Sequence, residues 1–208
     1  MNYETLYAFS LATTALAITP GPDNIYVLTQ SVTNGLKHGL ATTAGLISGC
    51  LVHTTLLAIG VSALLKENDS MFLTIKWLGA LYLFYLAFQV FKGDSSILLF
   101  KGGVPKKTLS RLFKQGFVMN VLNPKVTIFF LAFFPSFLFS DTLSTMVQFY
   151  VLGLLFMILS FGVFCSIVLL SGAISNYLKS NTYVGVFLKW AQVFVLICIG
   201  VYILLSDK

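Results

Sequence analysis

Two charged side chains, Asp23 and Lys125, stand beside proline inside long apolar stretches, in Thr19-Pro20-Gly21-Pro22-Asp23-Asn24 and in Asn120-Val121-Leu122-Asn123-Pro124-Lys125. A charge at membrane depth costs on the order of 2.5–3.5 kcal/mol even on lenient insertion scales, so each must be paired, hydrated or neutralised. A carboxylate and an ammonium flanked by amides can handle a substrate or a proton. The competing reading is a structural ion pair, or side chains that snorkel to the interface. For Asn24, Asn120 and Asn123 two readings stand side by side: capping the ends of interrupted helices, or donating to a ligand. His53, a titratable group in another apolar run, is a candidate proton relay or a satisfied packing histidine.

The elements that position these groups follow from composition. Of 208 residues, 57% are hydrophobic and 10% charged, whereas a soluble domain carries roughly 25% charged residues. That excludes an ordinary soluble fold. Apolar runs near Tyr3 to Thr29, Gly39 to Leu65, Met71 to Phe91, Phe113 to Phe139, Thr145 to Leu170 and Val184 to Leu205 are each about the length that crosses a bilayer as a helix. They are too long and too uniformly apolar for barrel strands. Helices also pair their own backbone groups in lipid, so the expected fold is an all-α bundle of six transmembrane helices. The first run is expected to be retained: Ala15-Leu16-Ala17 resembles a cleavage site, but Met1 to Thr5 holds Glu4 and no Lys or Arg, unlike a signal peptide.

Prolines and glycine within a helix remove donors and add backbone freedom, so helices 1 and 4 must break at Pro20-Gly21-Pro22 and at Pro124. Half of the 208-residue length separates Pro20 from Pro124, and Lys76-Trp77 is echoed by Lys189-Trp190. Three helices per half is an odd number, which makes the halves inverted-topology repeats. In such repeats, paired interrupted helices point to a midplane binding site. The chain then reads as one transport domain, with repeats at about 1–91 and about 113–208 joined by a basic loop at about 92–112.

The formal charge of +6 is topology information, not a nucleic-acid surface, because the basic residues form no basic-aromatic patch. Lys37, Lys179, Lys189 and the loop's Lys92, Lys101, Lys106, Lys107, Arg111 and Lys114 fall on one side, against Lys66, Lys76 and Lys208 on the other. The positive-inside rule puts the first set in the cytoplasm and both termini outside. Cys50, Cys165 and Cys198 are widely spaced with no CxxC, which argues for packing and against a redox enzyme. Ala41, Gly45 and Gly49 form a small-residue stripe that lets another helix approach. Tyr82, Tyr85, Gln148 and Gln192 are candidates to line a polar cavity, with nothing in the sequence that raises them above bundle packing.

The sequence resembles the LysE/RhtB amino-acid exporters of bacteria. The matching residues are Thr19 through Asn24, Gly35-Leu36-Lys37-His38-Gly39-Leu40 with Gly45 and Gly49, Gly79 and Tyr82, and Gly116-Phe117 through Asn120, Asn123-Pro124-Lys125, Phe129-Phe130 and Pro135. The resemblance implies export of amino acids or derivatives such as homoserine, threonine or lysine by proton antiport across the inner membrane, without a cofactor, in contact with lipid and as a homodimer. It makes Pro20, Gly21, Pro22, Asp23, Asn24, Asn123, Pro124 and Lys125 the translocation site, with Asp23 carrying the proton, Lys125 either pairing it or meeting the substrate carboxylate, and the broken half-helix ends binding the remaining charges of a zwitterion. The alternative is a metal-cation efflux protein of a related three-plus-three family, for which Asp23 and His53 are the ligand candidates and Lys125 is a repulsive neighbour.

Overall fold

The computed structural model describes residues 2–19, 21–62, 69–93, 105–180 and 183–205. Pro20, Lys66, Lys101 and Lys208, and the middle of the central loop, lie outside them, as does the Lys179 side chain. Among the described residues the chain is helical, with no strand.

The first apolar run is two helices, α1 (Tyr3–Ile18) and α2 (Pro22–Asn34). Asn2 starts α1, its Oδ1 accepting from Thr5 N at 3.2 Å. Gly21 is extended and Pro22 takes the first helical position of α2, where a missing N–H costs nothing. α2 ends at Gly35, whose φ of 94° is a left-handed value that a side chain would resist. α3 (Leu36–Leu56) starts directly from that glycine and loosens into a π turn over Leu57–Val61. α4 spans Asp69–Lys92.

The fourth run is again two helices, α5 (Leu109–Val121) and α6 (Pro124–Phe133). Thr108 caps α5 and Asn123 caps α6, with Pro124 at its first position. The axis bends by 52° between them, and a 3-10 turn, Phe134–Phe137, follows α6. α7 (Thr145–Leu169), α8 (Ser171–Ser180) and α9 (Tyr183–Leu205) complete the order. α8 has no counterpart among the six expected runs.

Leu36–Val61, Leu73–Lys92, Thr145–Leu169 and Tyr183–Leu205 are each long and apolar enough to cross a membrane, and the bent pair Leu109–Val121 with Pro124–Phe137 adds a fifth span if counted as one. Their outward faces carry large apolar side chains such as Leu205, 75% exposed, and Phe194, 68% exposed. Exposure on that scale suits lipid, not water.

α3 packs on α5, α4 on α9 and α1 on α7. Glycines set the first contact: a Cβ on Gly45 would run into the Phe113 carbonyl, and one on Gly116 into the Thr42 carbonyl. The stripe expected to admit a neighbouring helix thus admits α5. Phenylalanines of α6 and of the 3-10 turn after it fill the core, with Phe129 and Phe133 stacked at 4.3 Å and Phe130 and Phe134 at 4.2 Å. Phe9 of α1 meets Phe134 edge-on at 5.1 Å. Gln148 is buried as a clamp on the loop before α7, its Oε1 accepting from Phe139 N at 2.7 Å and its Nε2 donating to Leu143 O at 2.9 Å.

Candidate functional site

The two breaks meet. Gly21, Pro22, Asp23 and Asn24 from the first, and Asn120, Asn123 and Lys125 from the second, line one cavity of about 70 Å³. One water needs roughly 10–15 Å³ of such space, so there is room for a small polar molecule. α3 adds Leu46, Ile47 and Cys50, α6 adds Val126 and Phe129, and α7 adds Phe156, Ser160 and Phe164.

Each break leaves helix ends to satisfy, and amides and an imidazole do so. Asn24 Nδ2 donates to Ala17 O in the last turn of α1 at 2.8 Å. Thr19 Oγ1 donates to Ala15 O at 2.6 Å. At the second break, His53 Nε2 donates to the Asn120 carbonyl at 3.1 Å. The carbonyl ends of α1 and α5 are therefore occupied. The opposite ends point the other way: α2 and α6 both begin at the cavity, so two helix N-termini, each with partial positive charge, converge there. No side chain caps α2.

Asn123 joins the breaks. Its Oδ1 accepts from Lys125 N at 3.0 Å, capping α6, while its Nδ2 donates to Asp23 Oδ2 at 2.9 Å. Among the described residues, Lys125 Nζ makes no hydrogen bond and no ion pair with Asp23. It reaches instead toward the first break, 4.0 Å from where a Cβ on Gly21 would stand. A half-buried carboxylate and a half-buried ammonium thus face one cavity without neutralising each other by direct contact. Asn123→Ala is expected to cost about 1–2 kcal/mol of stability through loss of the cap. It should also loosen the coupling of the two breaks, which a lowered unfolding midpoint in detergent with impaired transport would register.

Of the residues singled out by sequence, Pro124 initiates α6, Pro20 lies outside the described residues, and His53 is buried beside the cavity without lining it, its ring 5.5 Å from that of Phe130. Cys50 is buried as expected of a packing cysteine, yet it also lines the cavity, its Sγ 3.7 Å from Asn120 Oδ1. Sequence reasoning missed Ser160 and its flanking Phe156 and Phe164. Their spacing of four on one helix face was the available signal. Among the described residues no group of three or more His, Cys, Asp or Glu could hold a metal ion.

Several spanning-length apolar helices, and a charged cavity where interrupted helices meet, are the architecture of multi-pass membrane transporters. The chain belongs to the LysE type translocator family, whose model matches residues 14–207. It is 29% identical over 179 residues to the homoserine/homoserine lactone efflux protein of Salmonella typhimurium, covering 86% of each chain. It is 30% identical over 196 residues to the leucine efflux protein of Salmonella choleraesuis, covering 93% of this chain and 87% of that one. No solved structure matches it.

Proposed function

We propose that the protein exports amino acids or amino-acid derivatives across the bacterial inner membrane, exchanging them for protons. The observation that carries this reading is the presence, on one cavity, of a carboxylate, an ammonium that it does not directly contact, and two helix N-termini. A zwitterion's carboxylate meets Lys125 Nζ and the starts of α2 and α6, where dipoles and N–H groups favour an anion. Its ammonium meets Asp23, held in place by Asn123. Proton exchange at Asp23 then alternates with ammonium binding, which couples the two fluxes. Asn24 and Asn120 shape the walls, and His53 belongs to the site by holding the Asn120 carbonyl.

The proposal includes the architecture. Two inverted triplets, each opening with a broken helix, are supported by matching breaks before Pro22 and Pro124 and by the packing of α4 on α9, the third helix of each half. Lys189 Nζ donates to Gly93 O at 2.7 Å, which supports one face for Lys189 and the start of the basic loop; the positive-inside rule would make that face cytoplasmic and put both termini outside. The efflux functions that the two relatives' names carry support the direction of transport. Metal-cation efflux is disfavoured because Lys125 faces the same cavity as the lone carboxylate.

Expression in a bacterium lacking its own amino-acid exporters tests the reading. The expected result is a rise in one or more extracellular amino acids when the cells are loaded with the corresponding peptides. Failure of every amino acid and derivative in the panel to move would overturn it.

A further inference from the structure

The cavity's charged and amide groups all come from the two breaks, and its remaining wall is different. Leu46, Ile47, Val126, Phe129, Phe156 and Phe164 make that wall apolar, and Ser160 is the hydroxyl set into it. Ser160 sits one turn from each of the two α7 phenylalanines, so all three share one face. It is 2% exposed, and its Oγ has no hydrogen-bond partner.

Other buried hydroxyls share that orphan state, Ser62 and Ser136 among them, but among the described residues Ser160 is the one that lines the cavity. A helical serine ordinarily turns its hydroxyl back to the carbonyl four residues earlier. Ser10, Ser31, Ser48 and Ser166 all do so here, donating to Leu6, Val27, Ala44 and Gly162 at 2.7–2.9 Å. Ser160 does not, and a buried hydroxyl left unpaired is costly. A polar group on a bound molecule would satisfy it.

Resting on the amino-acid reading of this cavity, we propose that Ser160 is a specificity-determining residue that hydrogen-bonds the substrate's side chain, and that the favoured substrates are neutral amino acids bearing a hydroxyl or carbonyl oxygen on a short aliphatic side chain. With the α-carboxylate and α-ammonium held at the breaks, the side chain lies against the apolar wall, where its methylenes contact phenylalanine and its oxygen meets Ser160 Oγ. A cationic side chain finds no second carboxylate in the lining. A purely aliphatic one leaves Ser160 unpaired, a penalty that hydrogen-bonding sites use to reject analogues.

The test is export from proteoliposomes of purified wild type, Ser160→Ala and Ser160→Thr, with homoserine, leucine and lysine compared at equal concentration. Wild type is expected to prefer homoserine over both. Ser160→Ala should lower homoserine export relative to leucine by about tenfold, and Ser160→Thr, which keeps the hydroxyl, should retain most of the preference. Because the alanine removes an unpaired hydroxyl, the substrate-free variant should unfold no earlier than wild type, which separates a binding role from a structural one. A wild-type preference for leucine or lysine overturns the substrate class. An unchanged homoserine-to-leucine ratio in Ser160→Ala overturns the role of the residue. Wild type that moves none of the three, while a wider amino-acid panel also fails, overturns the amino-acid reading itself.

Discussion

Asp23→Asn is expected to insert, fold and purify like the wild type while losing export driven by a pH gradient. The substitution is nearly isosteric, and its side-chain carbonyl can still accept the hydrogen bond that Asn123 Nδ2 gives to Asp23 Oδ2 at 2.9 Å. The junction between the breaks therefore survives. What disappears is the negative charge facing the substrate ammonium, a contact of the charge-assisted kind worth about 1.5–3 kcal/mol, or roughly ten- to a hundredfold in affinity. Coupling disappears with it, because an amide cannot carry the proton that must travel inward as substrate travels out. Two measurements on proteoliposomes separate these effects. Gradient-driven export should fall to background, while exchange of labelled for unlabelled substrate at high concentration should persist in part. Undiminished gradient-driven export by the variant would remove Asp23 from the coupling mechanism.

The breaks that carry this prediction were legible in the sequence for a simple reason. Proline has no N–H to give and fits the first turn of a helix but not its interior, so Pro22 and Pro124 announce where α2 and α6 begin. Four of the apolar runs, and the bent fourth run if it counts as one span, were equally plain, since lipid demands length and hydrophobicity from any spanning helix, whereas the first run is divided into two shorter helices. What sequence could not supply was the rotamer-level outcome of packing. Ser160 reads as one more serine in an apolar helix, indistinguishable from Ser166 until one hydroxyl is seen to turn back on its own helix and the other is not. His53 could have faced a cavity or a carbonyl, and only the approach of α5 to α3 decides that it meets Asn120 O. Gln148 looked like a group on a spanning helix, but its position in the first turn of α7 lets it bind the loop backbone instead. Asp23 and Lys125 were expected as a pair or as two ends of a substrate site; they share a cavity, and among the described residues the group bonded to the Asp23 carboxylate is Asn123 and not Lys125. α8 went unseen because ten residues of mixed polarity carry no membrane-length signal.

The largest loss of stability is expected from Gly116→Ala. At the crossing of α3 and α5 the backbones themselves touch: an added methyl at Gly116 would drive into the Thr42 carbonyl and stand 3.0 Å from Leu46 N. Neither atom belongs to a flexible side chain that could swing away, so the helices must separate. Overpacking of this kind costs typically 1–3 kcal/mol where side chains can adjust, and backbone contacts leave less room for adjustment. Separation of α3 from α5 also withdraws support from the site, because Gly49 gives Asn120 the space it occupies and His53 holds the Asn120 carbonyl from the same helix. Gly116→Ala should therefore lower both the unfolding midpoint in detergent and transport by the fraction that remains folded. Gly162→Ala is the matched control. It too lies inside a long apolar helix, but nothing stands within 4 Å of its added methyl, and alanine is the better helix former by about 1 kcal/mol. It should fold as well as the wild type or better, and equal damage from both substitutions would show that helix propensity, not the α3–α5 contact, governs stability.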